Sequence, residues 1–192
     1  KFRPILNLSA PPGNSFNEAI NKSKMTKVIM SSPSIVAKKL YAIGQGAIMS
    51  KIDHQSAYKL IPTKYDHLYL QGFVWLNKYF FETSQIFGAS SAVPNYDRTS
   101  RNVSDMVKVK SNTPAAFLER QLDDQIIMTR TLAENKNFVE EYVRLAGVIN
   151  LPLAPFDKPD KAFLYQQKGV ILGVVFDTLR MTWSLSLDKR VK

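Results

Sequence analysis

The segment Gln121–Met128, QLDDQIIM, sets two adjacent carboxylates, Asp123 and Asp124, between the apolar runs of AAFLER and QIIMT. Apolar runs broken by a polar pair predict a tight β-hairpin with the acids at its turn. Asp also favours turns for its own sake, because its side chain bonds nearby backbone amides. Alone, the pair reads as a surface turn. A third carboxylate changes the reading: Asp53 ends another strand signal, in GAIMSKIDHQSAYKLIP. Three carboxylates gathered by strands can hold two hard divalent cations about 3.5–4 Å apart and clamp an in-line phosphoryl transfer.

Working outward, the hairpin is followed by TLAE, Thr131 to Glu134, a capping box. It opens a helix whose apolar face is Leu132, Phe138, Val139, Tyr142, Val143 and Ala146, ending at Gly147. Before the hairpin, Ser90 or Ser91 caps a long helix with Pro94 in its first turn. Val93, Tyr96, Val103, Met106 and Val107 make one face of it, and Arg98, Arg101, Lys108 and Lys110 the other. Upstream, Ala47 to Asp53 reads as a buried strand, preceded by a helix capped by Ser32 and stopped by Gly44 and Gly46. Phe2 to Leu8 reads as a strand with Lys1 and Arg3 on one side. With Lys22, Lys24 and Lys27 after it, this is either a phosphate-binding face or a solvated basic edge. LYLQGFVW and YFFET read as a second hairpin turning at Leu76-Asn77-Lys78. Its aromatics, Tyr69, Phe73, Trp75, Tyr79, Phe80 and Phe81, read as core in preference to a base-stacking platform. Towards the end, LPLAPFDKPDK is a connection, KGVILGVVFD a strand and LRMTWSLS a last hairpin arm. SLDKRVK opens another helix.

Strand, helix, strand–hairpin–strand, helix, strand is the split βαβ order. It predicts an α+β fold: an antiparallel sheet with two helices on one face. The third strand lies between the first and second and runs antiparallel to the first. Asp53 is thereby placed beside Asp123 and Asp124.

Composition narrows the function classes. The 192 residues carry 26 Lys and Arg against 16 Asp and Glu, a net charge of +10. That excess suits nucleic acid or an anionic membrane surface, or serves solubility alone. With no cysteine there is no disulfide framework and no thiolate metal site. The longest apolar run, Gly169 to Phe176, is far too short to span a bilayer, and no secretory signal opens the chain. The expectation is an intracellular protein without a membrane partner, part of a larger parent polyprotein. No Ser or Cys nucleophile stands in a recognisable setting beside His54 or His67, so both read as core or surface histidines.

KFRPILNLS, SKIDHQSAYKLIP, IFGASSAVPNY, QLDD, LPLAP and ILGVVFDTLRM, in this order, resemble the fingers and palm motifs of reverse transcriptases. The resemblance covers nearly the whole chain and is most similar to tyrosine-recombinase (DIRS-like) retrotransposon polymerases. GQGA, FG…SA and LGVVFDTLRM carry that finer likeness. It implies partial fingers over 1–46, a palm over 47–186 with a fingers insertion near 64–84, and the start of a thumb or connection at 187–192, with the thumb itself absent. It implies an RNA-directed DNA polymerase core that joins a dNTP to a primer 3′-hydroxyl on an RNA or DNA template. Two Mg²⁺ ions, replaceable by Mn²⁺, would be held by Asp53, Asp123 and Asp124 and the His54 carbonyl. Lys1 and Arg3 would grip the triphosphate, together with the Ser56 and Ala57 amides. Tyr58 would exclude a ribose 2′-hydroxyl, and Phe87 and Gly88 would line the pocket. Lys158 or Lys161 would protonate pyrophosphate; the spacing does not choose between them. Gln121 and Gln125 depart from the family pattern, which has an aromatic and an apolar residue there, and Val93 stands where a proline is usual. These departures keep open a catalytically decayed or co-opted reverse-transcriptase-like domain that binds nucleic acid or protein.

Overall fold

The computed structural model describes residues 6–113, 116–158 and 161–186. In chain order these form α1 (Phe16–Ala19), α2 (Pro33–Ile43), β1 (Ile48–Asp53), β2 (Gly72–Trp75), β3 (Lys78–Phe81) and α3 (Ala92–Lys110). Then come β4 (Phe117–Gln121), β5 (Asp124–Thr129), α4 (Leu132–Val148), β6 (Phe163–Gln166), β7 (Lys168–Ile171), β8 (Val174–Asp177) and β9 (Thr182–Leu185). The chain divides into two compact units, 1–28 with 56–99 and 29–55 with 100–192, and α3 passes from one to the other.

The second unit holds a four-stranded antiparallel sheet in the order β4-β5-β1-β6. The third strand of the split βαβ order lies between the first two, as its sequence requires. Alternation along the strands sorts the core into two layers. Ile52, Leu118 and Ile127 pack with Val103 and Val107 of α3 and Phe138, Val139 and Tyr142 of α4. Met49, Ile126, Met128 and Phe163 pack on the opposite side with Val36, Leu40 and Ile43 of α2. Both helices start where their caps are written. Ser32 Oγ accepts the Ile35 amide at 3.3 Å ahead of Pro33. At α4, Thr131 and Glu134 bond reciprocally, at 3.2 and 2.9 Å. A buried polar tie fixes α4 to the sheet: Ser50 Oγ donates to Asn135 Oδ1 at 2.6 Å, and Asn135 Nδ2 donates to Thr129 Oγ1 at 3.1 Å.

Several expectations are corrected here. KGVILGVVFD is not one strand but the hairpin β7–β8, because Leu172 and Gly173 both enter the left-handed region, at φ 52° and 75°. With β9 it forms a separate three-stranded sheet. The fourth strand of the main sheet is β6 instead. Gly169 is required by close approach, since a Cβ there would lie 2.6 Å from the Phe163 ring. Helix α4 runs on past Gly147 to Val148, and Leu132 and Val143 of its expected face are exposed, as is Met106 of α3. The buried stripes are narrower than the apolar residues available to fill them. Residues 2–5 of the expected first strand and 187–192 of the expected last helix lie outside the described residues. Leu6 to Leu8 are not in a strand: the Leu8 amide bonds the Leu6 carbonyl at 3.1 Å.

The first unit has a small core of Ile86, Ala89 and Ala92, with Leu6, Leu8, Phe16 and Tyr58 packed against it. Its hairpin β2–β3 pairs Trp75 with Lys78 and turns through Leu76 and Asn77, at φ 49° and 57°. Two such residues make the mirror-image turn that matches strand twist. Lys78 belongs to β3, and residues 68–71 lie in a 3₁₀ turn, not a strand. The hairpin aromatics are not core. Tyr69, Trp75, Tyr79, Phe80 and Phe81 are exposed, and Phe73 is half-buried and stacks on Phe80 at 5.6 Å. Among the described residues, β2 and β3 form a two-stranded sheet that no third strand extends.

Candidate active site

β1 ends where β5 begins. Asp53 and Asp124 are direct antiparallel partners, and Gln121 of β4 is opposite Asp124 on its other side. Residues at alternate positions share a face, so Gln121, Asp124 and Asp53 form one cross-strand row. Asp123 occupies the turn, and its carbonyl accepts the His54 amide at 3.1 Å. Topology thus sets Asp53 beside Asp123 and Asp124, which are far from it in the chain. Asp53 and Asp124 are half-buried, and their electrostatics differ. Burial pushes the Asp53 carboxyl up to about 6; the Asp123 charge adds to this, and Lys161 opposes it. Burial also raises Asp124, against the pull of Lys51, whose Nζ is 3.1 Å from Oδ1.

Oxygen donors, mutual repulsion and a raised carboxyl suit a hard divalent cation. Among the described residues, however, no three His, Asp or Glu side chains converge into a finished metal cage. The donor set fits such an ion by chemistry, with Lys51 already bound to one of its members.

The turn itself is strained. Leu122, at φ 56°, sits in the left-handed region that favours glycine, at a cost of about 1–2 kcal/mol. Its carbonyl accepts Ser100 Oγ of α3 at 2.9 Å and Gln125 Nε2 at 3.3 Å. Gln125 is fully buried; its Nε2 also donates to Ser100 Oγ, and its Oε1 accepts Ser104 Oγ, both at 2.9 Å. This network gives the amide of the buried Gln125 its partners. Ser100 and Ser104 escaped the sequence reading because they are polar members of a face judged by its apolar ones. Their spacing of four was the available signal. Gln121 donates to Met30 Sδ at 3.4 Å, and its buried Oε1 has no partner among the described residues.

The other expected site residues divide between the units. His54 is 2% exposed, with Nε2 2.6 Å from the Tyr142 hydroxyl, and burial lowers it to about 4. It is a core histidine. Lys161 bears on both Asp53 and Asp124, whereas Lys158 meets Lys161 and Ala162 through its backbone carbonyl. In the first unit, Tyr58 meets Phe87 edge-on at 5.1 Å. Ser56 lies at φ 56° and opens the 3₁₀ turn Ala57–Leu60, in which Ala57 is buried. Gly88 lies at φ 92°, and its carbonyl accepts Asn17 Nδ2 at 2.8 Å. Lys1 and Arg3 fall outside the described residues.

No family of known proteins matches the sequence, and no curated protein does. Solved structures do match. The foamy viral protease-reverse transcriptase dRH in complex with ds DNA superposes with a TM-score of 0.68 at 15% identity, over 98% of this chain and 29% of that one. The Prototype Foamy Virus protease-reverse transcriptase CSH mutant gives 0.67 at 15% identity, over 90% and 21%. The foamy viral protease-reverse transcriptase in complex with RNA/DNA hybrid gives 0.59 at 17% identity, over 73% and 17%. The chain therefore has a reverse-transcriptase-like fold and spans less than a third of the length of these chains. No helix among the described residues is long and apolar enough to cross a membrane.

Proposed function

We propose that this chain is the fingers and palm core of an RNA-directed DNA polymerase of the DIRS-like retrotransposon kind, acting inside the cell as part of a longer polyprotein. The observation that carries the reading is the pairing of Asp53 with Asp124 across β1 and β5, with Asp123 in the adjoining turn. Asp53, Asp123, Asp124 and the His54 carbonyl would hold two Mg²⁺ ions, which Mn²⁺ can replace. When bound, these would lower the pKa of a primer 3′-hydroxyl and steady the leaving pyrophosphate of a dNTP. Lys161, whose charge already reaches the acids, is the better placed of the two lysines to give a proton to that pyrophosphate. Tyr58, propped by Phe87, would bar a 2′-hydroxyl. Template and primer phosphates would meet the excess of Lys and Arg.

Thermal unfolding in Mn²⁺ and dNTP tests this. A ligand that binds only the native state raises the melting temperature. The parent should gain several degrees, and Asp123→Asn should gain none. Equal curves with and without metal would remove the two-metal reading. The pairing of Lys51 with Asp124 favours one alternative, a decayed or co-opted domain that binds nucleic acid without catalysis. That version predicts salt-sensitive primer–template binding, with log K falling by about 0.9 per neutralised phosphate per unit of log salt, and no response to Mn²⁺.

A further inference from the structure

The two acids of the turn are not equivalent. Lys51 is only 7% exposed, and its Nζ lies 3.1 Å from Asp124 Oδ1. Its neighbours across the sheet are Ile126 and Phe163, both apolar, so the stem is packed and the ammonium ends in the acid row. A buried ammonium is retained only where an anion meets it. A cation that claimed Asp124 would orphan that charge. Among the described residues no ion pair holds Asp53 or Asp123; Lys161 and Lys51 act on Asp53 by charge, and Asp123 acts on it more strongly than Asp124 does.

We propose that Lys51 is the standing counter-ion of Asp124, so that a divalent cation is taken first by Asp53 and Asp123 and reaches Asp124 only by displacing the ammonium. Asp123 is then a ligand, Asp124 first a tether, and Lys51 a positioning residue that sets the occupancy of the second cation. This rests on the reading that the acids bind divalent cations at all.

The experiment counts bound Mn²⁺ by electron paramagnetic resonance and follows thermal unfolding in parallel, on the whole chain. The parent should bind one Mn²⁺ at low concentration and a second only at higher concentration. Asp123→Asn should lose the first ion, and Asp124→Asn should keep it within about threefold. Lys51→Met should melt lower in chelator and bind the second ion about tenfold more tightly, the effect of removing one nearby positive charge. Lys51→Arg should restore parent behaviour. If Lys51→Met does not fold, the double variant Lys51→Met/Asp124→Asn removes both charges and should still bind one ion.

Loss of the first ion in Asp124→Asn or in the double variant would overturn the division of labour while leaving the cation site standing. So would unchanged Mn²⁺ affinity in a folded Lys51→Met. Absence of Mn²⁺ from the parent and every variant would instead overturn the cation site, and this inference with it.

Discussion

Two hairpins of this chain have the same loop length and opposite circumstances. β4–β5 turns through Leu122 and Asp123, β2–β3 through Leu76 and Asn77, and each places a leucine in the left-handed region. Around the first, Gln125 to Thr129 are fully buried and the Leu122 carbonyl is held by Ser100 and Gln125. Around the second, every residue of β3 is exposed, and Leu76 is 81% exposed. A tight turn is thus a local product of chain geometry. Whether it can hold charged groups in fixed positions depends on what is packed behind it.

The largest expected effect comes from taking away that backing. Gln125→Leu roughly keeps the volume but removes the three hydrogen bonds of the Gln125 amide, while Ser104 Oγ keeps the Ser100 carbonyl and the Leu122 carbonyl keeps Ser100 Oγ. A hydrogen bond contributes about 0.5–1.5 kcal/mol net, so the loss of all three should show in chemical denaturation as about 2–4 kcal/mol. A loss below 0.5 kcal/mol, on the order of a surface change, would mean that the network does not hold the turn.

Next in size is the charge row opposite the turn. The Asp53 carboxyl is raised from 3.8 to about 6 by burial, so the folded state prefers it protonated. Its stabilising contribution is present below about pH 4 and is lost as pH rises through 6, leaving a penalty at neutral pH. Asp53→Asn should therefore raise stability above pH 6 in chelator, by roughly 1–2 kcal/mol after screening by the solvent around a half-buried group. The gain should vanish near pH 4. A pH-independent difference between the curves would remove the electrostatic explanation.

Glycine at the two turn leucines sharpens the contrast. Leu76→Gly relieves a left-handed residue and exposes nothing, so it should stabilise by about 0.5–1 kcal/mol. Leu122→Gly relieves the same strain but gives up a half-buried side chain, and should gain less or lose. Equal gains would show that the first turn is no better embedded than the second. Smallest of all, Trp75→Ser and Tyr79→Ser should each shift stability by less than about 0.5 kcal/mol, as exposed sites do. A larger loss in either would return those aromatics to a core.

Much of this was written locally. Ser32-Pro33 and Thr131–Glu134 mark helix starts through bonds made within a few residues, and these came out as expected. The βαβ order also sufficed to set β5 between β4 and β1, because short antiparallel connections leave few alternatives. Asp53 beside Asp124 followed from that order alone.

What only the tertiary structure decided concerns groups whose partners are distant in sequence. Lys51 reads as one more lysine until it is found on Asp124 across the sheet, and Gln125 reads as a departure until Ser100 and Ser104 face it. The β2–β3 aromatics carry a core composition, yet burial depends on whether another layer covers the strand, which composition does not encode. In KGVILGVVFD the apolar run is interrupted by Gly173, and the left-handed Leu172-Gly173 pair is where it folds back. Local bonds are set by spacing along the chain; burial and charge pairing are set by neighbours that the chain reaches only after it has folded.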